Sequence, residues 1–197
     1  WTKLMQTTVM PSFHVRNKMS NAFNNWLGVG QDAVNPKMQA TAWKVAIAQG
    51  DPEKLKHLRP LDIIRPDGTP DVIHWSDVYR MAKENGAIDE GFFAKDVGAG
   101  TASKGLIKKL PPKFDPTDSE NFILFKKGAE IGSKIENSDR LIHFASELKR
   151  GKTVEEATES SKKFLFDYSD LTAFEQNVMK RIFPYYTWMR KNGRLQA

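Results

Sequence analysis

Carboxylates come closest to a chemically useful spacing in this chain. Asp89-Glu90, Glu155-Glu156 and the pair Asp167 and Asp170 place two acids within reach of one another, as general acid–base catalysis requires. Helix starts and turns account for the same pairs, since acids favour the positive end of a helix. The four histidines, His14, His57, His74 and His143, are far apart in sequence, and none has a second ligand type at metal-binding spacing. Structural roles are therefore expected for them, and no metal or cofactor. Gly28-Val29-Gly30 and Gly98-Ala99-Gly100 continue into neither a phosphate-loop lysine nor a dinucleotide fingerprint, and read as loops. No nucleophile with its base stands out, so the expectation is a non-enzymatic binding or structural module with no small-molecule substrate.

The strongest binding signal is at the other end of the chemical scale. Phe183, Tyr185, Tyr186 and Trp188 are interleaved with Lys180, Arg181, Arg190, Lys191 and Arg194, with no acid after Glu175. Such a stretch packs its own helices with the cations in water, or stacks on bases and pairs phosphates, or seats at a bilayer interface. Together with Phe166 and Tyr168 these rings, with Arg190 and Lys191, are the candidate partner contacts. Near the start, Arg16 and Asn17 belong to a stretch rich in amides beside an apolar helix face, running on through Asn21 and Asn24. Asparagine and arginine there either cap nearby backbone or meet a ligand, and Arg16 and Asn17 join the candidate contacts.

Composition narrows the partners. Thirty basic against twenty-four acidic residues leave a net charge of +6, which favours anionic surfaces without marking a dedicated nucleic-acid binder. The absence of cysteine excludes disulfides, Fe–S clusters and thiolate zinc sites. No apolar run reaches the eighteen or so residues that a bilayer-spanning helix needs.

The elements that carry these residues read as all-α, with long helices, a loop-rich middle section and little or no strand. Three parts are expected: an N-terminal helical segment over 1–50, a loop-rich connector with short helices over 51–118, and a long-helix and kinked C-terminal segment over 119–197. In the first, Pro11 suits a first helical turn, and Phe13, Val15, Met19, Phe23, Trp26 and Leu27 keep helical spacing up to the glycines at 28 and 30. Asn35-Pro36 starts a second helix that runs to Gly50. In the connector, Pro66-Asp67-Gly68 between Ile63-Ile64 and Val72-Ile73 is a turn able to close a very short hairpin, and a helix over Ser76 to Asn85 is capped by Gly86. In the third, Phe122, Phe125, Ala129, Ile135, Ile142, Ala145 and Leu148 give a helix of about 40 Å closed by Gly151. Thr153 with Glu156, and again Thr172 with Glu175, make capping boxes, and Pro184 bends the last helix.

Two motifs carry a resemblance. Pro11-Ser12-Phe13-His14-Val15-Arg16-Asn17 near one end, and Phe166-Asp167-Tyr168 through Leu171-Thr172-Ala173-Phe174-Glu175 to Phe183-Pro184-Tyr185-Tyr186-Thr187-Trp188-Met189-Arg190-Lys191-Asn192 near the other, are similar to a segment of very large bacteriophage polypeptides: the large polyvalent protein-associated domains and the phage internal virion or ejection proteins. The middle third carries no matching motif. The resemblance implies a structural segment of a longer virion chain, packaged with the genome or running through the tail. It implies assembly with other virion proteins and with copies of itself, transient contact with DNA or a host membrane, and a place in the virion and then the host cell envelope.

Overall fold

The computed structural model describes residues 11–88, 111–114 and 123–165, and these are mainly helical with one two-stranded sheet. The helices are α1 (Pro11–Val29), α2 (Pro36–Ala48), α3 (Pro52–Leu55), α4 (Trp75–Glu84), α5 (Ile123–Lys149) and α6 (Val154–Phe164), with short 3₁₀ turns at Gly30–Val34 and Pro112–Phe114. Strands β1 (Leu61–Ile64) and β2 (Pro70–Ile73) pair antiparallel, with Leu61 opposite Ile73 and Ile64 opposite Pro70. The chain forms two compact units: residues 1–17, 90–133 and 167–197 make one, and residues 18–89 and 134–166 the other. In the first unit, Phe125 is buried, while Phe114 is exposed beneath the Lys113 ammonium, 4.9 Å from its ring centre. The candidate residues Phe166, Tyr168, Phe183, Tyr185, Tyr186, Trp188, Arg190 and Lys191, the second capping box and the Pro184 bend lie outside the described residues.

The second unit is built by local signals that the sequence displays. The Asn35 carboxamide accepts from Lys37 N at 3.0 Å and Met38 N at 3.4 Å, and with Pro36 in the first turn it fixes where α2 begins. The turn at Arg65–Thr69 closes with Arg65 N donating to Thr69 O at 2.8 Å, and Asp67 Oδ1 accepts from Thr69 N at 2.9 Å, so the short hairpin forms. Helix α4 runs one residue ahead of its expected bounds and ends on Asn85-Gly86. The Thr153 hydroxyl accepts from Glu156 N at 3.2 Å and the Glu156 carboxylate accepts from Thr153 N at 3.0 Å, the two hydrogen bonds of a capping box.

The core lies between α2, α4, α5 and β1. Met38, Ala42 and Val45 of α2, Trp75, Val78 and Tyr79 of α4, and Leu141, Ile142, Phe144 and Ala145 of α5 form one cluster, joined by Leu61 and by Ala157 of α6. Every residue of α5 from Asn137 to Leu148 is buried, so this part of the helix is enclosed on all sides rather than on one stripe. The first half of α5 is not enclosed in this way: Ile123, Leu124 and Ile131 are exposed.

Helix α1 ends at Val29, between the two glycines, with Gly28 in its last turn. A Cβ at that position would stand 2.5 Å from His143 Cε1 and 2.9 Å from Phe164 Cδ2, so only glycine lets α1 meet α5 and α6 this closely. In a solvent-facing helical site, replacing glycine by alanine adds about 1 kcal/mol of stability. Here the sign reverses: Gly28→Ala is expected to lower unfolding free energy by about 1–3 kcal/mol in urea titration, as overpacked cores do. A neutral or stabilising result would place α1 further from α5.

Candidate functional site

Where α1 meets α5 the contact is polar. Lys18, Asn21, Asn25 and Gly28 recur every three or four residues and so line one side of α1. Asp139, fully buried in mid-α5, takes a charge-assisted hydrogen bond from Lys18 Nζ on one carboxylate oxygen and one from Asn21 Nδ2 at 3.1 Å on the other. The Lys18 ammonium also donates to Gln39 Oε1 of α2 at 2.8 Å. Burial pushes the Asp139 carboxyl above the ordinary aspartate range, against the opposing pull of Lys18 and Asn21.

One turn along, Asn25 Nδ2 donates to the Asp139 carbonyl at 2.9 Å, which leaves Asn25 Oδ1 facing His143 Nδ1 at 2.9 Å. A peptide carbonyl only accepts, so the amide orientation is set, and the amide in turn assigns the proton to His143 Nδ1. His143 Nε2 is then the acceptor for the Ser160 hydroxyl of α6, at 2.8 Å. The ring stacks on Phe164, with centres 5.3 Å apart. Nearby, Arg140 is wholly buried and donates to Glu136 Oε1 at 3.0 Å and to Leu165 O at 2.9 Å. Lys149 pairs with Asp32 at 2.8 Å, and Arg150 donates to the Gly28 and Val29 carbonyls, closing the C-terminal end of α1 with positive charge.

Asn25, His143 and Ser160 thus stand in the order of an orienting group, a base and a hydroxyl. The spacing in sequence gives no hint of it, because the three residues come from three helices and adjoin only in the fold. Burial lowers His143 to a pKa of about 4, helped by the positive charge of Arg150 and Arg140. A base that weak is poorly matched to taking a serine proton near neutral pH. The chain of hydrogen bonds is suited to holding α1, α5 and α6 in register.

The opposite side of α1 carries the rings. Met19, Phe23, Trp26 and Leu27 are 69%, 53%, 49% and 43% exposed, and Phe23 and Trp26 stack at 6.4 Å between ring centres. The apolar spacing legible in the sequence is therefore real, but it marks the outer face of the helix and not the buried one. Of the two expected contacts on α1, Arg16 is exposed and Asn17 half-buried. Among the described residues no group of acids and histidines is placed to hold a metal, and no helix is long and apolar enough to cross a membrane. No family model, curated protein or solved structure matches the chain.

The imidazole sets a pH dependence. A histidine held near 4 when folded and near 6.5 when unfolded stabilises the fold above pH 6.5 and loses that contribution as pH falls towards 4, because the unfolded chain takes up a proton the folded chain refuses. The contribution amounts to about 3 kcal/mol, rising by about 1.4 kcal/mol per pH unit within the window. Asp139 acts with the opposite sign, so the measurement is the difference between wild type and His143→Gln in urea titrations from pH 4 to 7. That difference should grow with pH up to about 6.5 and then level off; parallel curves would mean that His143 is readily protonated in place.

Proposed function

We propose that this chain is a non-catalytic, helix-rich structural segment of a bacteriophage internal, ejection or tail-associated protein, serving particle assembly and genome delivery. What supports a docking role is the way α1 is turned: its polar stripe is consumed in holding α5 and α6, and its apolar stripe is left facing outward. That orientation leaves Met19, Phe23, Trp26 and Leu27 as a surface that another macromolecule can cover, and an exposed apolar patch of several hundred Å² is characteristic of a docking site. The stretch of α5 from Asn137 to Leu148, buried throughout, is the framework against which α1 is held. The phage assignment rests on the Pro11–Asn17 and Phe166–Asn192 motifs.

In this reading the protein works by contact with other virion proteins and with copies of itself, first in the virion and then in the host envelope, and needs no cofactor. Phe23→Ser combined with Trp26→Ser removes the outward rings without touching the polar node. Quantitative mass spectrometry of purified parent-phage particles should show the copy number of the variant chain falling about tenfold, with the isolated protein as stable as wild type. Full incorporation together with normal infectivity would remove the docking role from α1, and turnover of a substrate abolished by Ser160→Ala would replace it with catalysis.

A further inference from the structure

We propose that the Lys18–Val29 stretch of α1 is a strap that releases from α5 and α6 as a unit while the core beneath it stays folded. Among the described residues, the apolar cluster is drawn from Met38 onwards, out of α2, α3, α4, α5, α6 and β1, and no side chain of α1 belongs to it. The buried residues of the stretch are Asn24, Asn25 and Val29, two amides and one apolar side chain. Removing α4 would uncover Trp75, Val78 and Tyr79. Removing the strap opens Asp139, His143 and the edge of Phe164, and the first two are groups that water solvates.

The bonds that hold the strap are of the kind water replaces. Lys18 and Asn21 donate to the Asp139 carboxylate, Asn25 bonds the Asp139 carbonyl and His143, and Arg150 donates to the Gly28 and Val29 carbonyls. Each exchanges for bonds to solvent at a small net loss, and the ion pair regains on release the hydration that burial removed. Met19, Phe23 and Trp26 face water in the docked state, so little burial is forfeited there. A pivot is present at the right place. Gly30, at a φ of +60°, opens the 3₁₀ turn, and beyond it the chain is pinned: Ala33 is buried with its carbonyl bonded by Gln39, and Asp32 pairs with Lys149 at 2.8 Å. Once off its support, a short stretch carrying Asn21, Asn24, Asn25 and Gly28 does not keep its helix, so release frees its backbone amides as well. Elements with few buried apolar contacts are those that open below the threshold of global unfolding.

Hydrogen exchange of the full chain, read by mass spectrometry of its peptides, follows the release directly. At pH 7 the amides of 21–29 should exchange at least tenfold faster than those of Trp75–Glu84 and of 137–148, although all three stretches are helical. Lys18→Met leaves Asp139 buried without its cation, so strap exchange in that variant should rise at least tenfold further while the α4 peptides change less than twofold. Strap and core exchanging at one rate in wild type overturns the inference, because α1 then belongs to a single cooperative unit. So does a Lys18→Met chain that no longer folds or that loses protection in α4 and strap alike. Strap exchange unmoved by Lys18→Met also overturns it, since the Asp139 contact is then not what holds the helix down.

Discussion

A carboxylate withdrawn from water must be met by charge or by donors, and Asp139 imposes that requirement at the centre of the fold. It sits in the part of α5 that is enclosed on every side, where an unpaired charge would be destabilising by several kcal/mol. Lys18 and Asn21 meet the carboxylate, and Asn25 meets the carbonyl of the same residue. These three positions are one stripe of α1, so satisfying a single aspartate fixes both the rotation of α1 about its axis and its register along α5. Buried ion pairs of this kind add little net stability against a well-packed apolar alternative, but they leave few other ways to dock the helix.

The rest of the contact follows from that rotation. Asn25, once oriented by the Asp139 carbonyl, dictates the His143 tautomer, and the free ring nitrogen then claims the Ser160 hydroxyl, which brings α6 into the same layer. Gly28 comes round on the same stripe and provides the space in which the imidazole and the Phe164 ring stack. Arg150 and Lys149, just beyond and at the end of α5, reach the end of α1 and the turn after it, so the C-terminal end of α1 is held as firmly as its middle. The outward placement of Met19, Phe23 and Trp26 is a consequence of the same geometry: on a helix, residues half a turn away from a committed stripe have to face the other way.

Local chemistry made much of the scaffold readable. Asn35-Pro36, Thr153 with Glu156, and Asp67-Gly68 each specify a start or a turn through atoms within three or four residues, and each forms as its chemistry dictates. The same holds for the helical extent of α1 and for the apolar positions Ile142, Ala145 and Leu148 of α5. The polar node was not readable, because its members on α1 lie more than a hundred residues from those on α5 and α6 and each one, taken singly, resembles an ordinary surface residue. Glu136-Asn137-Ser138-Asp139-Arg140 was the one visible signal: five polar residues in a row cover every side of a helix, so within a packed segment some of them have to be paired inside.

By itself, then, the chain determined where helices begin and end, the short hairpin, the lack of any cysteine chemistry and the basic balance, because these depend on bonds and spacings that neighbouring residues complete alone. Which face of α1 is buried was decided only in three dimensions. Hydrophobic periodicity says that a helix has two faces, and ordinarily the apolar one goes inside. Here the unmet hydrogen-bonding demand of Asp139 and His143, supplied from a distant part of the chain, outweighs the burial of Phe23 and Trp26 and turns the helix over.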